Sequence, residues 1–90
     1  MTVVIKRDNR KEDFSRDKIR RSVENAAKRV KLDSSRSRDI ADRIARNVEE
    51  HFKSRDEIRA SDIRDRVLSE LNREEKRISK EFGSFRKELR

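Results

Sequence analysis

Large apolar side chains are scarce in this sequence. Leu, Ile, Val and Phe number 21 of 90 residues, while charged residues make up 51% of the chain. That is just above the roughly 20% apolar content below which disorder is the default. A domain this small is marginally stable. Every large apolar residue is therefore expected in one core, and a bound ligand would add a useful part of the stability. The length allows one domain, 1–90, and is too short for a Rossmann sheet or a TIM barrel. No apolar run is long enough to span a bilayer. The N-terminus lacks the apolar stretch of a secretory leader, so a cytoplasmic location without a membrane partner is expected. There is no Cys, which removes disulfides, thiol catalysis and Cys-based zinc sites.

The spacing of those few apolar residues predicts an α+β chain, mainly α. Residues 2–6 are short and β-branched, which reads as a strand. Asp8-Asn9 is a tight turn, because Asn tolerates the left-handed conformation. Residues 10–14 return as a second strand. Ser15 stands where a helix cap belongs, with Asp17 in the first turn. Ile19, Val23, Ala26, Ala27 and Val30 then recur at helical spacing over 15–31. Residues 32–35 form a linker carrying the next cap. Ile40, Ala41, Ile44, Ala45, Val48 and Phe52 line a second helix over 35–53. Residues 57–60 form a lone strand pairing with the hairpin. Ser61-Asp62 starts a third helix, which Asn72 ends. Ile78, Phe82, Phe85 and Leu89 mark a fourth over 74–89. Gly83 lies inside it, through either close packing, ligand approach or plain tolerance. The sum is a four-helix unit capped by a small three-stranded sheet.

Charge points to a polyanionic partner in general and to no particular one. The net charge is +8 and the isoelectric point about 10.4, which favours nucleic acid or nucleotide phosphates. Bases and acids are interleaved, however. Asp39 with Arg43, Asp42 with Arg46, Glu49 with Lys53 and Asp62 with Arg66 have the favourable acid-to-base order four apart. Such pairs decorate solvated faces.

Enzyme signatures are nearly absent, and no metal site is expected. His51 is the lone His and has no nucleophile beside it. There is no Walker A loop and no GxGxxG turn, so a nucleotide would need another cradle. Lys6 and Arg7 end the first strand, Arg10 and Lys11 follow the turn, and Lys18 opens the first helix. Cations with helix N-terminal amides make an anion site. An apolar neighbour such as Ile19 would floor it. On residues alone, Lys6 and Arg7 serve equally as hairpin solubilisers.

Residues 4–19, Val-Ile-Lys-Arg-Asp-Asn-Arg-Lys-Glu-Asp-Phe-Ser-Arg-Asp-Lys-Ile, resemble the opening of the ATP-cone family, V-x-K-R-D-G-x-x-E-x-F-x-x-x-K-I. Residues 58–67 are similar to the segment entering that family's third helix. Phe82-Gly83-Ser84-Phe85-Arg86-Lys87 resembles its closing aromatic-basic helix. The three motifs occur in order and span nearly the whole chain. The resemblance implies a regulatory site for ATP or dATP, with Mg2+ as a companion, which binds the nucleotide without hydrolysing it as its task. Such cones act as the activity switch of ribonucleotide reductases and as the effector part of a repressor of their genes. It also implies roles. Val4, Lys6 and Arg7 contact base and phosphates, and Glu12 lies near the sugar hydroxyl. Lys18 holds phosphate and Ile19 underlies the base. Ile63 and Arg64 face the site from the third helix, and Arg86 and Arg90 match the basic end of the fourth among the nucleotide-binding positions. Asn9 replaces the usual turn glycine, and Ala60 stands where a hydroxyl is common. The Cys-rich zinc ribbon of the repressor is not among these residues. The expected function is an allosteric sensor coupling nucleotide occupancy to self-association or to a protein partner. The alternatives are a basic nucleic-acid-binding helical module and a ligand-free oligomerisation unit.

Overall fold

The computed structural model describes residues 2–84. Strand β1 (Val3–Ile5) is followed by β2 (Lys11–Asp13), α1 (Arg16–Arg29), α2 (Ser34–Phe52), β3 (Glu57–Arg59), α3 (Ala60–Glu74) and α4 (Lys76–Ser84). The sheet order is β2-β1-β3. β1 pairs antiparallel with β2 and parallel with β3. The expected α+β architecture, four helices under a three-stranded sheet, is what forms.

The hairpin is local chemistry. The Asn9 amide donates to the Lys6 carbonyl at 2.9 Å and the Lys6 amide to the Arg10 carbonyl at 2.7 Å. Asn9 has φ 70°, so it takes the left-handed position that closes a three-residue hairpin loop. The Asp8 carboxylate accepts from the Arg10 amide at 3.2 Å. That bond, with the Arg10 charge beside it, lowers its pKa. Thr2 is buried, and its hydroxyl donates to the Arg55 carbonyl at 2.8 Å. The Val3 amide donates to the Asp56 carbonyl at 2.8 Å. The N-terminal strand is thus sewn to the loop after α2.

Ser15 caps α1 as expected, accepting from the Lys18 amide at 3.2 Å. The cap of α2 is Asp33, not the serines after it; its carboxylate accepts from the Arg36 amide at 2.8 Å. α3 begins one residue before the expected start. Asp62 reaches back to the Arg59 amide at 3.0 Å. That reciprocal bond belongs to the third helical position, which makes Arg59 the cap residue and draws Ala60 out of the strand. Asn72 does not end α3. An exposed Asn in a helix costs only a fraction of a kcal/mol, and the chain turns instead at Glu75, in extended conformation. The last residues of the expected fourth helix, Phe85 and Leu89, lie outside the described residues.

The core forms where the stripes predict. Val23, Ala27, Ala41, Ile44, Ala45 and Val48 are fully buried between α1 and α2, joined by Val67 and Leu71 of α3 and Ile78 and Phe82 of α4. Alanines on both facing stripes let α1 and α2 approach closely. Not every large apolar residue is swallowed. Phe14, Val30, Leu32, Ile63 and Leu68 are half-buried against the core. Of the four forecast ion pairs only Asp42 with Arg46 forms. Arg43 turns to Glu74, Glu49 receives Arg16, Lys53 takes Glu50 and Arg66 takes Glu70. Other carboxylates, on neighbouring helices or on the same one, were nearer.

Two backbone positions make testable predictions. α1 ends in a full Schellman motif: the Leu32 amide reaches Ala27 and the Lys31 amide reaches Lys28. The left-handed residue is Lys31, at φ 65°, where a side chain costs about 1 kcal/mol. Lys31→Gly is expected to raise the thermal midpoint. At Gly83 an added Cβ would meet only Leu68 Cδ2, at 3.8 Å, an ordinary contact. Plain tolerance therefore explains this glycine. Gly83→Ala is expected to stabilise by about 0.5–1 kcal/mol, read by denaturant unfolding.

Candidate nucleotide site

Side chains alternate across a strand, so the register decides what faces the helices. Val4 stands opposite Glu12 on one side and Ile58 on the other. Val4 and Ile58 are buried. Their row therefore faces inward, and it carries the Glu12 carboxylate in with it. Lys11 and Asp13 on either side are exposed, Asp13 where β2 reaches the cavity rim. An inward charge on an edge strand deters edge-to-edge pairing, but here it also has partners. The Lys6 ammonium lies 3.3 Å from Glu12 and the Lys18 ammonium 3.6 Å. Lys6 comes from the end of β1 and Lys18 from the first turn of α1.

These residues border a cavity of about 640 Å³. Its apolar floor includes Val4, Ile19, Ile63, Val67 and Phe82. Its rim carries Lys6, Arg7, Lys18, Arg59 and Arg64, against Glu12 and Asp13. The starts of both α1 and α3 reach it, through Ser15 and through Ala60 and Ser61. The size and the few convergent polar groups on an apolar floor are those of a small-molecule site. Ile5 and Ile63, both half-buried, also line this space.

Eight of the ten residues singled out from sequence, Val4, Lys6, Arg7, Glu12, Lys18, Ile19, Ile63 and Arg64, meet here. Arg86 and Arg90 lie outside the described residues. Sequence reasoning missed Arg59, and it placed Val67 and Phe82 in the core, where they are, without foreseeing that they also wall the cavity. Only the parallel pairing of β3, which sets Arg59 opposite Ile5, brings that cation to the rim. Phe82 is both buried and part of the wall. His51 is away from the cavity, exposed, with its ring edge-on to Phe52 at 4.7 Å. Among the described residues no group of three His, Asp or Glu is placed to hold a metal ion, and no helix is long and apolar enough to cross a membrane.

The rim is rich in unmet positive charge. Among the described residues Arg7, Arg59 and Arg64 have no carboxylate partner, and the buried Arg64 Nε has no hydrogen-bond partner. A buried unpaired donor is costly, and an acceptor entering the cavity would relieve it. Arg59 leaves the α3 amides without a side-chain cap, since a guanidinium cannot accept.

The Glu12 carboxyl is held below its ordinary pKa, first by the Lys6 hydrogen bond and then by the charges of Lys6 and Lys18, with desolvation opposing. A depressed folded-state value contributes stability above the unfolded-state range, lost as pH falls through the folded value. Comparing thermal midpoints, Glu12→Gln is expected to be less stable than the native chain near neutral pH. The gap should close in acid, below the ordinary carboxylate range. A gap that is constant with pH would refute the ionic account.

Comparison with known proteins agrees with this arrangement. Residues 2–85 match the family described as the ATP cone domain. The chain is 34% identical over 88 residues to a protein of Opitutus terrae named transcriptional repressor NrdR. That alignment covers 98% of this chain and 57% of the relative, so the chain spans a little over half of that protein's length. With every described residue inside one family match, and a hairpin, two helix starts and a cationic rim around one cavity, the chain belongs to the ATP-cone domain family.

Proposed function

We propose that the chain is a non-catalytic regulatory module that binds an adenine nucleotide, ATP or dATP, in this cavity. The observation that carries the reading is the convergence of Lys6 and Arg7 from the hairpin and Lys18 from the first turn of α1 on one apolar-floored space in an ATP-cone chain. In this reading the purine lies on Val4, Ile19 and Ile63. Lys6, Arg7 and Lys18 hold the phosphates, and Glu12 accepts from a sugar hydroxyl. Arg64 donates its unpaired Nε to the ligand, and Arg86 and Arg90, outside the described residues, are assigned to phosphate by the family resemblance alone. Mg2+ would arrive on the phosphates and offset their charge; of the two rim carboxylates, Asp13 has no ion-pair partner among the described residues.

Without ligand, Glu12 neutralises part of the Lys6 and Lys18 charge. An incoming triphosphate competes for both ammoniums and takes up the free guanidiniums. The hairpin, α1 and α3 all contribute to the rim, so occupancy ties their relative positions together. That is how binding would alter self-association or docking to a regulated partner, on the usual coupling scale of about 1–3 kcal/mol. A second reading, a basic nucleic-acid-binding module within a transcriptional regulator, has one specific support: the matched relative is named a transcriptional repressor.

Calorimetry decides the first reading. Heat of binding is expected with ATP or dATP, and its absence with both would overturn it. A charge-assisted hydrogen bond contributes about 1.5–3 kcal/mol, so Lys18→Gln or Arg7→Gln should weaken binding by roughly tenfold or more. Lys53→Gln, exposed and remote from the cavity, should leave it unchanged.

A further inference from the structure

The chain has more cations than carboxylates, and the fold does not spread the surplus evenly. Most exposed Arg and Lys of α1 hold an Asp or Glu. Among the described residues, six of the nine cations without a carboxylate partner fall in two places. One is the cavity. The other is the corner where α3 passes into α4, with Arg73, Lys76 and Lys80; Lys31, Arg38 and Arg55 lie elsewhere.

On α4, Ile78, Ser79 and Phe82 are buried. The opposite side is Lys76, Arg77 and Lys80, all exposed, with no carboxylate between them. The two carboxylates at the corner are already engaged. Glu75 is met by Arg36 of α2 at 3.7 Å and by Arg77 at 3.3 Å, and Glu74 by Arg43 of α2. Asp39 on α2 and Glu81 on α4 border the patch and limit its extent. Locally this arrangement is unfavourable. Lys76 and Arg77 stand at the positive end of a helix with no acid in its first turn. Lys76 and Lys80 are like charges four residues apart.

We propose that the α3–α4 corner is a docking surface for a nucleic-acid backbone, with Arg73, Lys76, Arg77 and Lys80 set against neighbouring phosphates. This gives the second reading above a surface, and it is independent of the nucleotide cavity. The exposed residues of the corner include no large apolar side chain. A lipid surface would require one to insert, and a protein interface one for its core. Mixed guanidinium and ammonium groups alone suit phosphates. Interactions of this kind fix position without reading sequence.

The test is the anisotropy of a short fluorescein-labelled DNA duplex titrated with the full chain over a range of salt. One variant carries Lys76→Gln, Arg77→Gln and Lys80→Gln. A control loses the same charge elsewhere, through Arg21→Gln, Lys28→Gln and Lys53→Gln. Circular dichroism checks that both fold. The native chain is expected to bind with affinity falling steeply with salt. The α4 variant should bind about tenfold more weakly, with a log–log slope shallower by about 0.9 for each phosphate it no longer neutralises. The control should stay close to native. Equal weakening in both variants would reduce the effect to net charge and overturn the proposal. So would an absence of salt-dependent binding by the native chain, or an α4 variant that keeps the native affinity for the duplex. ATP calorimetry on the α4 variant is expected to match the native chain. No heat from either would count against the cavity reading alone.

Discussion

Strand β1 is three residues long, and both of its edges are occupied. Its antiparallel partner β2 leaves the sheet beside Val3 and enters α1. Its parallel partner β3 leaves beside Ile5 and enters α3. The two helices therefore start from opposite ends of one small sheet, and the space between their first turns lies across its inner face. Parallel pairing requires a long crossover, and α1 with α2 supplies it. Everything that positions the rim follows from this doubly paired strand: Lys6 at its end, Arg7 in the next turn, Glu12 across from Val4, and Arg59 across from Ile5.

A chain with few apolar side chains has to place charge with care. The α1–α2 interface uses alanines and β-branched residues to bury as much backbone-proximal surface as possible. Carboxylates then decide where positive charge remains. On α1, Asp17 takes both Arg20 and Arg21, and Glu24 takes Arg20 and Lys28. The Asp17 carboxyl is held low by the hydrogen bonds from Arg20 and Arg21. Such exposed pairs add little stability individually. Their larger effect is to leave the unmatched cations concentrated around the cavity and at the α3–α4 corner.

Features set by neighbours in the sequence were legible. Asn9 in the left-handed turn, Ser15 as a cap and the two apolar stripes all rest on interactions within four residues. Features that pitted one local signal against another were not. Ser61 is a good cap residue, yet the reach of Asp62 back to Arg59 won. Asn72 is a poor helix residue, yet α3 runs through it because Val67 and Leu71 are already anchored in the core. The four forecast ion pairs failed in three cases because partners across helices, or better placed on the same helix, took the charge first.

The candidate site divides in the same way. Lys6, Arg7 and Lys18 were legible because the strand end and the helix start that carry them are short-range features. Their convergence follows from the hairpin that sets Glu12 between Lys6 and Lys18; the far wall of the cavity was not legible, because it depends on the register in which β3 pairs with a strand more than 50 residues earlier. Arg59, Val67 and Phe82 entered the site only through that pairing and through the docking of α4. Periodicity and capping act through bonds between near neighbours, so they are written into the order of residues. A cavity is a volume shared by distant segments, and no segment carries its shape alone.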